Sequence, residues 1–386
     1  MIFDGGGTAQ GRFVGRVWRP DVEGPSLVVL RNGRVVDITS QATPTMCDLL
    51  ERDDVVSLVD SVSGEDLGSL DEIMATSTED AAAQGRLHLL APCDLQAIKA
   101  CGVTFARSML ERVIEEKAAG DPARAEAIRA RVSDIIGSSL RDLVPGSPEA
   151  AEVKQALMRE GMWSQYLEVG IGPDAEVFTK AQPMASVGWG AAVGLHPLSK
   201  WNNPEPEMVL AVDSRGRVKG ATLGNDVNLR DVEGRSALLL GKAKDNNASC
   251  AIGPFIRLFD ESYGMDDVRT AELDLRVEGE DGYVLAGKSS MREISRDPLD
   301  LVAQTIGRHH QYPDGFMLFL GTLFAPVEDR GAPGLGFTHE PGDIVTISNL
   351  ELGALVNTVR LSTECSEWRF GVGALMRNLA RRGLLA

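Results

Sequence analysis

Residues 201–250, WNNPEPEMVLAVDSRGRVKGATLGNDVNLRDVEGRSALLLGKAKDNNASC, decide how the chain is read. Two apolar arms, Met208 to Val212 and Val218 to Leu223, flank a turn at Asp213-Ser214-Arg215-Gly216 and predict a hairpin. Glu205 and Glu207 stand at the start of the outgoing arm. On extended backbone their side chains share a face, because successive strand residues alternate sides. The return arm delivers Asp226 alongside them. Three carboxylates converging on one point repel unless a cation lies between them, and a hard divalent ion with oxygen ligands, Mg2+ first, suits such a set. By itself PEPE also fits a solvated acidic loop, since a short motif carries little information. Its neighbours in the chain decide between the two.

PEPE, then GNDVNLRD, then GKAKDNNASC resemble the metal-binding core of the fumarylacetoacetate hydrolase superfamily. The resemblance implies metal ligands at Glu205, Glu207 and Asp226, a catalytic lysine at Lys244 and a substrate-binding arginine at Arg230. It covers roughly residues 90 to 360 and predicts an α+β fold. That fold is a mostly β catalytic domain of the fumarylacetoacetase C-terminal type (a mixed β-sandwich roll) with a helical insertion and a small N-terminal α/β domain.

Upstream, Gly102-Val-Thr-Phe-Ala-Arg-Ser108-Met-Leu-Glu111 occupies the position where the hydrolases carry a His–Glu pair that activates water. Ser108 replaces that histidine and Glu111 keeps the glutamate, so the usual base for hydrolytic water is missing. The pattern resembles instead the branch that dehydrates 2-keto-3-deoxy sugar acids. Arg107 and Ser108 are expected to contact substrate, and Glu111 or Glu115 to supply the acid that removes the C4 hydroxyl. Lys180 and Ser186, in the glycine-rich approach to the acidic pair, are further expected substrate contacts. Phe316 to Thr322 reads as a buried strand ending in the superfamily's Gly-Thr turn, with Gly321 and Thr322 holding the substrate carboxylate.

The expected activity is Mg2+-dependent dehydration of 2-keto-3-deoxy-D-xylonate or D-arabinonate to 2,5-dioxopentanoate, with Mn2+ as an alternative ion. In that chemistry Lys244, its pKa lowered beside a cation, takes the C3 proton or supports the charge that follows. Two other readings compete: a hydrolase cleaving a C–C bond of a β-diketo acid, and a non-catalytic metal- or ligand-binding relative.

The rest of the chain bounds these readings. At 386 residues it is long enough for one large or two unequal domains. We divide it into residues 1–85, a small α/β unit, and 86–386, the catalytic domain with its helical insertion at about 108–166. Within the first unit, Ser26 to Ile38 is a hairpin around Asn32-Gly33, and Met46 to Val62 reads as a helical stretch. Ser147 before Pro148 is an N-cap signal, and Asp297-Pro298 starts a helix reaching about His310. A net charge of −17 argues against nucleic acid and anionic membranes as partners. It leaves room for a small anionic 2-keto acid, because a metal can invert the local field. The five cysteines are scattered without a CxxC pair and the five histidines show no HExxH pattern. Together with an opening, MIFDGGGTAQ, unlike a signal peptide, this predicts a cytoplasmic protein with reduced thiols. The family resemblance adds a homo-oligomer, a dimer or a dimer of dimers.

Overall fold

The structure is a computed structural model that describes residues 11–81, 83–105, 109, 143–159, 161–323, 328–330 and 336–385. The expected dehydration residues Arg107, Ser108, Glu111 and Glu115 lie outside them, as does most of the expected helical insertion. The strands in chain order are β1 (Phe13–Arg19), β2 (Gly24–Arg31), β3 (Arg34–Asp37), β4 (Glu65–Ser69), β5 (His88–Leu90), β6 (Ala97–Gly102), β7 (Glu176–Ala181) and β8 (Ala192–Leu195). They continue with β9 (Pro206–Val212), β10 (Val218–Asp226), β11 (Cys250–Leu258), β12 (Glu272–Glu278), β13 (Val284–Ser290), β14 (Phe316–Phe319), β15 (Ile344–Asn349) and β16 (Gly353–Leu361).

An 11-stranded sheet runs β4-β3-β2-β1-β11-β10-β9-β14-β6-β7, with β5 paired to β1. A 5-stranded sheet runs β13-β12-β15-β16-β8. The strand β9 shows why the two layers stack. All seven of its residues are buried. Met208, Leu210 and Val212 face a core shared with Leu273, Leu275, Val345, Ile347 and Leu355 of the smaller sheet. Val209 and Ala211 face the opposite core, with Met46, Leu49, Leu50 and Val55. Strict alternation on a strand covered on both sides produces the unbroken apolar run seen in the sequence.

The hairpin read around Asn32-Gly33 is formed by β2 and β3. Both turn residues have positive φ, 49° and 72°, the geometry an Asn-Gly pair tolerates in a two-residue turn. These strands continue the large sheet, because β1 pairs with β11. The helical stretch from Met46 is two helices, Met46–Glu51 and Val55–Ser61. Arg52 turns extended between them (ψ 139°) and pairs with Asp54 at 2.7 Å. Ser147 accepts from the Ala150 amide at 3.1 Å and so caps the helix Pro148–Arg159. The helix begun at Pro298 stops at Thr305, short of His310, because Ile306 is extended (φ −118°, ψ 140°). Among the described residues no helix is long and apolar enough to cross a membrane.

Candidate metal centre

Glu205 lies just before β9 and Glu207 within it, separated by Pro206, a residue suited to the first position of a strand. The β9–β10 register sets Gly224 against Glu207 and Asn225 against Pro206. The Asp226 amide then donates to the Glu205 carbonyl at 3.1 Å. The hairpin thus brings the three carboxylates together as the sequence reading requires. One oxygen from each lies within 4.8 Å of the others, and their exposures are 6%, 2% and 1%.

Buried carboxylates need compensation, and each receives it. Lys244 Nζ donates to Glu205 Oε2 at 2.7 Å and to Asp226 Oδ2 at 3.1 Å. Asn228 Nδ2 donates to Glu205 Oε1 at 2.9 Å. The Gly321 amide donates to Glu207 Oε2 at 2.6 Å. Lys180 Nζ lies 3.0 Å from Asp226 Oδ1, yet no hydrogen bond is directed at that oxygen. A buried carboxylate oxygen in that condition, within an all-oxygen donor set, fits a hard dication such as Mg2+. Burial, then Asp226 and Glu205, push the Glu207 carboxyl well above its ordinary value. Burial disfavours the Lys244 ammonium, but Asp226 and Glu205 outweigh it and hold the group well above the ordinary lysine value. The expected lowering of Lys244 is therefore not produced by the protein groups themselves.

The cluster opens into a pocket whose wall includes Lys244, Gly321, Thr322, Glu176, Phe178 and Glu233. The other expected contacts are placed differently. The amide of Gly321 is committed to Glu207, so it supports a metal ligand, while Thr322 lines the pocket. Lys180 is fully buried behind the triad, with Nζ 2.5 Å from the Lys244 carbonyl. Arg230 stacks its guanidinium over Trp201 at 4.2 Å and is not in the pocket wall. Ser186 donates to Cys250 Sγ at 3.4 Å and lines a different, larger cavity with Trp18, Trp368 and Phe370. The five cysteines are buried free thiols.

Sequence reasoning passed over Glu176, Phe178, Glu233 and Asn228. A signal existed for two of them. They lie on the strand Glu176–Ala181, where alternation carries Glu176 and Phe178 to one side.

A two-sheet sandwich whose inner hairpin closes three carboxylates over one pocket defines a class, and comparison with known proteins agrees. Residues 201–360 match the fumarylacetoacetate (FAA) hydrolase C-terminal family. The chain is 31% identical over 185 residues to the 2-dehydro-3-deoxy-D-arabinonate dehydratase of Saccharolobus solfataricus, covering 48% of this chain and 58% of that protein. It is 30% identical over 198 residues to a probable 2-keto-3-deoxyxylonate dehydratase of Haloferax volcanii, covering 51% and 64%. The chain thus spans about three-fifths of the length of these relatives. Its fold is that of 2-keto-3-deoxy-D-arabinonate dehydratase in the apo form, with a TM-score of 0.63 and 21% identity over 90% of this chain and 99% of that one. A second structure of that enzyme, complexed with magnesium and 2,5-dioxopentanoate, matches with a TM-score of 0.62 and 19% identity over 90% and 99%.

Proposed function

We propose that the chain is a Mg2+-dependent hydro-lyase that converts a 2-keto-3-deoxy-pentonate, the D-xylonate or D-arabinonate derivative, to 2,5-dioxopentanoate. The observation that carries this reading is the buried group Glu205, Glu207 and Asp226, ion-paired to Lys244 at the wall of one pocket. The names of the two curated relatives and of the related enzyme structures support the choice of reaction.

Glu205, Glu207 and Asp226 would hold the cation, with Asn228 and the Gly321 amide fixing two of the three. When bound, the ion supplies a Lewis acid that polarises a ketone and makes its neighbouring C–H acidic. Lys244, which donates to Glu205 and Asp226, lies where it can take the C3 proton beside a bound cation or support the charge that forms on the ketone oxygen. Among the described residues Glu176 and Glu233 also stand at the pocket wall, the second choice of base. Glu111 or Glu115 remains our choice of acid for loss of the C4 hydroxyl. Arg107, Ser108 and Thr322 are assigned to substrate, and Arg230, over Trp201, to holding the loop beside the site. Loss of water gives an enol that tautomerises to the aldehyde. We further propose a cytoplasmic homo-oligomer.

Incubation with Mg2+ and each 2-keto-3-deoxy-pentonate tests the reading. An aldehyde, absent when EDTA is added, is the expected product. Two acids released from a β-diketo acid, with no aldehyde from the pentonates, would assign a hydrolase instead.

A further inference from the structure

One buried cation is not explained by the chemistry above. Lys180 is 0% exposed, and an ammonium withdrawn from water is strongly destabilising unless it is paired and hydrogen-bonded. Its strand shows how it gets there. Ile98 pairs with Ala181 and Lys99 with Thr179, so Lys180 is the extra residue of a β-bulge, a device that re-aims a side chain. Nζ donates to the Lys244 carbonyl at 2.5 Å, lies 3.0 Å from Asp226 Oδ1 and reaches Ser249 Oγ at 3.5 Å. The Ser249 hydroxyl donates to the same carbonyl at 2.7 Å. Lys180 is not part of the pocket wall, whereas Lys244 is. A ligand in the pocket meets Lys244 and does not reach Lys180.

We infer that Lys180 is a positioning residue that sets the charge of the cluster from behind, acting through Asp226 and Lys244 without touching substrate. The inference rests on reading the three carboxylates as a dication site. With all three carboxylates ionised, as a bound dication requires, they and the two ammoniums sum to one net negative charge. A dication turns that to one net positive charge, the complement of a singly charged keto acid. Without Lys180 the loaded cluster would be neutral. Lys180 therefore weakens the hold on the dication and strengthens the hold on the anion. Within a few ångströms such a charge is strongly felt even at an effective dielectric constant of about 20.

Calorimetric titration separates this role from the alternatives, using Mg2+ alone and then pyruvate added to Mg2+-saturated protein. Lys180→Gln removes the charge and keeps a donor for the Lys244 carbonyl, and Lys180→Met removes both. Each variant is first shown to be folded by circular dichroism and thermal unfolding, and the Gln variant carries the test if the Met variant does not fold. Loss of the charge is expected to tighten Mg2+ binding by about tenfold or more and to weaken pyruvate binding by a similar factor. Lys180→Arg, which keeps the charge, is expected to leave both affinities within about threefold of the wild type. Unchanged Mg2+ affinity with weakened pyruvate binding would make Lys180 a direct substrate contact and overturn the inference. Weaker Mg2+ binding in the Met variant but not the Gln variant would make it a packing residue, with the same consequence. Failure of the wild type to bind Mg2+ would remove the dication reading itself, a result distinguishable from either.

Discussion

Glu207→Gln should change stability in opposite directions with and without metal. Glu207 is 2% exposed. Its carboxyl is raised by burial first and then by Asp226 and Glu205, against the lowering effects of Lys244 and the Gly321 amide. A carboxyl that holds its proton more tightly in the folded chain than in the unfolded one opposes folding at pH above its folded pKa. That opposition fades as pH falls through the folded value. Glutamine removes the charge, keeps an oxygen to accept the Gly321 amide and adds an NH2 that can donate to the neighbouring carboxylates. The metal-free variant should therefore be more stable than the wild type at mildly alkaline pH, by roughly 1–3 kcal/mol, the scale on which neutral groups improve on a buried charge cluster, with the gap closing as pH is lowered.

With Mg2+ the order reverses. At 1,000 times its dissociation constant a ligand specific to the folded state adds about 4.1 kcal/mol, more than that gap, and the variant, lacking one of three carboxylates, should gain far less at that concentration. Urea unfolding in EDTA and in Mg2+, repeated across pH, reads both effects. The reasoning is refuted if the metal-free variant is less stable at every pH, or if it keeps the Mg2+ response. The same linkage makes wild-type Mg2+ affinity fall as pH drops through the Glu207 titration, because the ion must then displace a proton. Titration calorimetry in two buffers of different ionisation heat should detect that proton in the wild type and not in the variant.

Lys244→Met should lower turnover by about 10²–10³ while leaving the protein folded, the loss typical of one preorganised charge at a reacting oxygen; steady-state kinetics with saturating Mg2+ checks it. Gly321 has φ +87°, and an added Cβ would meet Thr104 Oγ1 at 2.1 Å and the Cys101 carbonyl at 3.0 Å. Gly321→Ala should therefore cost about 1–3 kcal/mol of stability in a urea melt and weaken Mg2+ binding, since the Gly321 amide holds Glu207. Ser186→Ala should leave kcat and KM for a 2-keto-3-deoxy-pentonate within about twofold of wild type, because Ser186 lines the other cavity and surface-like changes away from a site have small effects. A large rise in KM would return Ser186 to the substrate.

The parts of the centre legible in the sequence are those fixed by local geometry. Glu205 and Glu207 are two apart on a strand, and Asp226 ends the return arm of the same hairpin, so alternation and one turn bring them together. Lys244, implied by the family resemblance and not by strand geometry, ends a short helix after β10. What was misread depends on contacts between segments far apart in the chain. Gly321 lies two residues beyond β14, which pairs with β9, and that pairing brings its amide to Glu207 instead of a ligand. Lys180 was read as a substrate contact because a lysine near a glycine-rich stretch looks available. The bulge opposite Ile98 and Lys99, which no pattern in 177–183 announces, carries it behind the triad. Ser186 looked adjacent for the same reason, yet its neighbour Val187 bridges to Ala251 and the side chain turns to the far cavity.

The net charge of −17 fits this arrangement better than it first appears to. At physiological ionic strength exposed charges are screened beyond about 8 Å, so the acidic surface contributes little inside a buried pocket. What an entering anion meets is set by the few groups screened poorly because water is excluded around them. Here those groups are Glu205, Glu207, Asp226, Lys180 and Lys244, each at most 6% exposed. The carboxylates stay clustered because two lysines from different elements, β7 and the short helix ending at Lys244, neutralise most of their repulsion. A dication added to a cluster so nearly balanced changes its sign, and with it the charge of the small molecule the pocket favours. Whole-chain charge disfavours large polyanionic partners, and on the proposed reading the pairing of five buried side chains sets which small ions the pocket favours.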